Sequence, residues 1–156
     1  MNRRYLPALG LLFAAACVHV KVQRADGAAT PSVATASTAL VEVGAMMSRS
    51  AASWNRGDLD AFLLDYEPAA TYVGRARVLR GRDEIRTAYA SRFAPGGIRD
   101  SLSFERVEVD VLAPDVAHTI AWYRLSRGDS TTAHGPTSLL MRKSGGRWRI
   151  VHDHSS

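Results

Sequence analysis

Beyond residue 100 the chain reads as four long stretches cut by three turn-forming triplets, and this grammar restricts it to folds that contain an antiparallel meander. The stretches run over 101–112, 116–126, 131–143 and 147–155. Between them stand Ala113-Pro114-Asp115, Arg127-Gly128-Asp129 and Ser144-Gly145-Gly146, the residue types that tight hairpin turns require. Strands joined so closely pair antiparallel with their neighbours in sequence. In the first stretch Phe104 has the opposite parity to Val107, Val109 and Val111, so one face can collect all four only around a β-bulge. A bulge bends the sheet, and a curled sheet leaves a cavity at its open end.

Upstream of residue 100 the period is helical. Leu40, Val43, Met47, Ala51 and Trp54 lay one apolar stripe along a helix over about 38–54, ended by Asn55-Arg56-Gly57. Asp58 is placed to cap a second, short helix carrying Leu59, Phe62, Leu63 and Tyr66 on one side, stopped by Pro68. Gly81 and Asp83 introduce a third, with Ile85, Ala88, Tyr89 and Phe93 as its buried face and Pro95, Gly96 and Gly97 beyond it. Short strands are expected over 71–74 and 77–79. Helices followed by a meander make an α+β domain, with the helices on one face of a bent sheet. Nothing recurs at a fixed period, so no repeat array is present.

The N-terminus has a different character. Met1-Asn2-Arg3-Arg4 precedes an almost unbroken apolar run from Tyr5 to Ala16 and then Cys17. A basic segment, a short apolar segment and small residues at the cut make a secretory signal over 1–16. The apolar run falls short of the roughly 20 residues that span a bilayer as a helix. Ala14, Ala15 and Ala16 suit simple secretion through an A-x-A site, and with Cys17 they also resemble the bacterial lipobox, in which the cysteine becomes the lipid-bearing first residue. Lipidation of Cys17 is the favoured reading, and it implies an exported periplasmic lipoprotein of the cell envelope, held at the membrane. Cys17 is the only cysteine, so no intrachain disulfide framework can form. Residues 17–37 are rich in Ala, Thr and Ser and lack any aromatic side chain, which describes a flexible tether ahead of a single domain over 38–156. Loss of Arg3 and Arg4 with the signal takes the formal charge from +5 to +3. With no basic run or interleaved aromatics, that balance points to no nucleic-acid partner.

Three segments in order carry a family likeness. Trp54-Asn55-Arg56-Gly57-Asp58-Leu59-Asp60 between the first two helices, Gly81-Arg82-Asp83-Glu84-Ile85 opening the third, and the ending Trp148 to Ser156 (WRIVHDHSS) together resemble the nuclear transport factor 2-like superfamily, and within it the SnoaL-like, ketosteroid-isomerase-like branch. The resemblance implies a cone-shaped, curved antiparallel sheet wrapped on three N-terminal helices. Its mouth would hold a small organic molecule, apolar or amphipathic, and the chain would form a homodimer. The fold hosts isomerases, cyclases, dehydratases, hydrolases and plain binding or assembly modules, so it does not imply the chemistry. The last strand and Ile120 to Arg124 are also similar to the association domain of calcium/calmodulin-dependent protein kinase, which is no enzyme.

By that last likeness Arg124 and the parity of Val151, Asp153 and Ser155 point into the cavity, where Arg124 would anchor any acidic group of a ligand. Asp153 beside Arg124 would be either a base or half of a structural ion pair, and the pair would keep the carboxylate ionised and its pKa low. Asp110 is a second candidate acid, with a solvated outward face as the alternative. Tyr66, Tyr72 and Trp122 are expected at the pocket wall, each with a polar handle for a ligand. His152 and His154 share a strand face at a spacing that can hold a metal, but no second ligand pair joins them, and no metal is expected. No phosphate loop, nucleophile elbow or catalytic cysteine is present, and no cofactor is expected. Two readings result: an exported small-molecule-binding domain, and an isomerase or lyase using an aspartate base.

Overall fold

The computed structural model describes residues 18–20 and 31–155. The expected signal over 1–16, Cys17 and residues 21–30 of the expected tether lie outside the described residues.

Helix α1 spans Val33–Arg56, starting five residues before the position the apolar spacing predicts. Ser32 sets that start, its side chain accepting from the Thr35 amide at 3.1 Å. Ala36, Ala39, Val43, Met46, Met47, Ser50 and Trp54 form the buried stripe. Gly57 ends the helix with φ at 79°, a left-handed conformation in which its amide reaches the Trp54 carbonyl at 3.0 Å. Asp58 then caps α2 (Leu59–Leu63), accepting from the Ala61 amide at 2.9 Å.

Tyr66 corrects the sequence reading. It is not on α2 but opens strand β2 (Tyr66–Val73), opposite Ile150 of the last strand. The Asp65 carbonyl accepts from the Ile150 amide at 2.7 Å, so pairing with a distant strand overrides the helical spacing of the local apolar residues. β3 (Val78–Arg80) pairs back on β2, and α3 (Gly81–Phe93) follows, with Glu84 accepting from the Arg80 amide at 2.8 Å. The four long strands are β4 (Ser101–Ala113), β5 (Val116–Arg127), β6 (Ser130–Ser144) and β7 (Arg147–Ser155).

β4 to β7 pair antiparallel in sequence order, β2 joins β7 in parallel, and β1 (Val18–Val20) lies parallel to β4, giving the order β1-β4-β5-β6-β7-β2-β3. Three residues of the expected tether therefore belong to the sheet. The domain is α+β as expected, and the sheet is mixed where β2 meets β7.

Of the register shifts in the sheet, two shape its concave face. Phe104 faces Tyr123 and Arg106 faces Trp122, leaving Glu105 as the extra residue in β4. This is the bulge that the parity of Phe104 and Val107 demands. A second lies in β7, where Ile150 faces Met141 and His152 faces Leu140, so Val151 is the extra residue. The concave face packs Val107, Val109, Val111, Ala117, Ala121, Leu139 and Met141 against the helices. At the open end Trp54 anchors an aromatic cluster, meeting Phe62, Tyr89 and Phe93 edge-on with centroids 5.2–5.5 Å apart.

Candidate functional site

Between that concave face and the three helices lies a cavity of about 380 Å³, within the usual range for small-molecule sites. Its walls are mainly apolar and aromatic, with Met47 and Trp54 from α1, Phe62 from α2, Phe104 from β4 and Leu139 from β6. Inside it stands Asp153, only 5 % exposed. Ile150 and Asp153 have opposite parity, yet both line the cavity, because the bulge at Val151 switches the face that β7 presents.

Asp153 is surrounded by donors. Tyr66 donates to Oδ2 at 2.7 Å, Ser155 donates to Oδ1 at 2.7 Å, and the Thr137 hydroxyl stands 3.1 Å from Oδ1. Thr137 and Ser155 are themselves 2.9 Å apart and form a short hydroxyl chain. Burial pushes the Asp153 pKa above its ordinary 3.8, outweighing the Tyr66, Ser155 and Thr137 bonds, which favour the carboxylate. Tyr66 is raised well above 10, first by burial and then by the negative charge of Asp153. Tyr72, opposite Asp153 across β2 and β7, is also raised by burial, and it is bonded to Tyr89. The result is a carboxyl group reluctant to ionise, set in an apolar chamber with phenol hydroxyls around it. Such a group can exchange hydrogen bonds with a ligand, and takes up a proton more readily than an exposed aspartate.

Of the residues the sequence singles out, Asp153, Ser155, Tyr66 and Tyr72 come together in the cavity. Arg124, Trp122 and Asp110 do not. On β5 the fully buried Ala117, Thr119 and Ala121 face the helices, which turns His118, Ile120, Trp122 and Arg124 to the outer face of the sheet. There Arg124 pairs with the bulged Glu105 and donates to Thr131 at 2.9 Å, so the expected Arg124–Asp153 pair is absent. Trp122 lies under the Arg106 guanidinium, 4.7 Å from it. Asp110 stands 4.0 Å from His118, also outside, in accord with the outward alternative. His152 bonds Thr71 at 2.6 Å, and His154 is exposed. Among the described residues no three His, Cys, Asp or Glu side chains are grouped to hold a metal.

Sequence reasoning missed Tyr89, Thr137 and Tyr123 as lining residues, and three arginines at the mouth, Arg75, Arg77 and Arg92. Tyr123 was legible, since it shares the parity of Ala117, Thr119 and Ala121. Those small residues mark the side of a strand against which helices pack.

Comparison with known proteins agrees with this architecture. The sequence profile of the SnoaL-like domain matches residues 43–156. No curated protein matches the chain. An NTF-2-like protein of unknown function from Shewanella oneidensis is similar, with 28% identity and a TM-score of 0.67 over 74% of this chain and 97% of that one. A provisionally named scytalone dehydratase from Novosphingobium aromaticivorans shares 11% identity, with a TM-score of 0.67 over 78% of this chain and 85% of its own. A provisionally named calcium/calmodulin dependent protein kinase II association domain from Xanthomonas campestris shares 18%, with a TM-score of 0.61 over 75% and 86% of the two chains. At these low identities the last two speak for the fold alone.

Proposed function

The chain belongs to the SnoaL-like domain family, and on that premise we propose that its cavity binds a small organic molecule through apolar walls and hydrogen bonds to the Tyr66–Asp153 pair. The observation that carries this reading is Asp153, a buried carboxyl group that makes no ion pair among the described residues and faces a chamber of ligand size. A carboxyl placed only for stability would be closed off or ion-paired. We propose further that the domain is exported and attached to a membrane by lipid on Cys17, supported by the basic segment, the apolar run and the small residues before the cysteine. A homodimer belongs to the same proposal, on the strength of the family likeness.

A second reading, an isomerase or lyase, is favoured by one feature. The raised pKa of Asp153 suits a group that takes a proton and returns it, with Tyr66 donating to the carboxylate before the first step and again after the second. Asp110 has no part in it, being outside the cavity.

Mass spectrometry of small molecules retained by the purified chain tests the binding reading. A retained molecule is expected, reduced about tenfold in Asp153→Asn by loss of an ionic or proton-sharing bond worth about 1.4 kcal/mol. Equal retention by both proteins would remove Asp153 from the site. Incubating the recovered molecule with fresh protein separates the readings: conversion that Asp153→Asn abolishes marks an enzyme, and an unchanged molecule marks a binding domain. The mass of the N-terminal peptide reports lipid on Cys17 directly, and light scattering reports the dimer.

A further inference from the structure

The mouth of the cavity differs in charge from its interior. β2 and β3 are joined by the turn Gly74-Arg75-Ala76-Arg77, closed by a bond from the Gly74 amide to the Arg77 carbonyl at 3.0 Å. Gly74 sits against the Tyr72 ring so closely that an added Cβ would lie 2.9 Å from Cε1. The whole turn lines the cavity, with Arg75 and Arg77 among its exposed residues. Arg92, on the last turn of α3, lines it too and stands close enough for its charge to act on the hydroxyls of Tyr72 and Tyr89.

Among the described residues these are the only guanidiniums lining the cavity, and they are free to meet a ligand's charge. Arg49, Arg106, Arg124, Arg127 and Arg142 each hold a carboxylate. Among the described residues no carboxylate lies within ion-pair distance of Arg75, Arg77 or Arg92; the Arg92 charge reaches Asp100, but Arg127 already holds that carboxylate. The only acid lining the cavity among the described residues is Asp153, deep inside and already supplied with hydroxyl donors. A concave site walled by apolar side chains and rimmed by unpaired cations concentrates anions at its entrance.

We propose that the ligand of this cavity is a free amphiphilic acid, whose apolar body fills the chamber and whose acidic group is held at the mouth by Arg75, Arg77 and Arg92. The proposal rests on the pocket reading above and specifies the ligand's chemistry. It also replaces Arg124, which sequence reasoning assigned to the acidic group and which points away from the cavity. Arginine suits the task because its planar fork offers paired donors to a carboxylate or sulfonate.

Two fluorescent probes of similar size test it on the full chain. N-phenyl-1-naphthylamine is neutral, and 1-anilinonaphthalene-8-sulfonate carries an acidic group. Both should bind wild type, with the anion's Kd rising as salt screens the rim. In the triple variant Arg75→Gln, Arg77→Gln, Arg92→Gln, affinity for the sulfonate should fall about tenfold, the scale of three exposed ion pairs together. Affinity for the neutral probe should hold within a factor of two. The three side chains are exposed, so the variant folds, as circular dichroism would verify. Unchanged sulfonate affinity with the neutral probe still bound overturns the acid proposal and leaves the pocket reading standing. Failure of the sulfonate alone to bind wild type overturns the acid proposal, and failure of both probes overturns both. Displacement of the sulfonate by decanoate and not by phosphatidylglycerol vesicles is expected of a free acid, and displacement by vesicles alone overturns that assignment.

Discussion

Replacing Tyr66 by Phe removes one oxygen and leaves the ring, so its effect isolates the bond to Asp153. The Tyr66 hydroxyl donates to Asp153 Oδ2 at 2.7 Å, and both residues are buried, at 3 % and 5 % exposed. A hydrogen bond to a charged group contributes about 1.5–3 kcal/mol, and one between neutral groups about 0.5–1.5 kcal/mol. The cost of Tyr66→Phe must therefore depend on the protonation of Asp153. Burial raises the folded pKa of Asp153 above 3.8, so the stability this group contributes is complete below pH 3.8 and is lost as pH rises through the folded pKa. The Tyr66 bond limits that loss by favouring the carboxylate, and removing it raises the folded pKa further. Tyr66→Phe should thus cost about 2 kcal/mol at pH 8, or some 6–10 °C in melting temperature for a domain of this size, and about half as much at about pH 3, below 3.8, where Asp153 is protonated. Thermal unfolding followed by circular dichroism at the two pH values measures both. Equal losses at the two would mean that Asp153 does not titrate between them, and no loss would mean that the bond contributes nothing; either refutes the reasoning.

Arg124→Ala breaks a pair in which both side chains are nearly half exposed, so stability should change by less than about 1 kcal/mol and neutral-probe affinity not at all; denaturant unfolding and a probe titration check both. Leu63→Ala empties a fully buried site between α2 and the core and should cost about 2–5 kcal/mol in urea unfolding. Arg49→Ala leaves Asp65 buried without its cation, with Oδ2 already unpartnered. Burial also raises the Asp65 pKa, so the loss of about 2 kcal/mol expected at pH 8 should shrink at about pH 3, below 3.8, where protonation relieves the buried charge.

Most of the sheet was legible because its turns are written in local chemistry. The expected stretch over 147–155 coincides with Arg147–Ser155, and the others end within one residue of the observed strands. The bulge at Glu105 followed from parity, since Phe104 and Val107 cannot share a face without it. The bulge at Val151 left no comparable mark. It arises from how β7 registers on β6, a long-range matter that one strand's residues do not encode. The face of Asp153 was right by likeness to a family, while simple alternation from Ile150 would have placed it outside. Tyr66 was misread for a related reason, because Leu59, Phe62, Leu63 and Tyr66 keep helical spacing across a break that is set by the Ile150 amide. The same likeness that placed Asp153 misplaced Arg124, whereas the small Ala117 and Ala121 on the opposite face held the correct signal. The rim arginines stayed hidden because only the folded turn brings residues 75 and 77 beside residue 92.

The most direct test of the account is a map of backbone and side-chain NMR shifts as N-phenyl-1-naphthylamine is added to the domain. Shifts confined to Tyr66, Tyr72, Leu139 and Asp153, with Trp122 and Arg124 unmoved, would place the ligand in the cavity around the buried carboxyl. Shifts on Trp122 and Arg124 with Asp153 and Tyr66 silent would put binding on the outer face of the sheet and contradict the account.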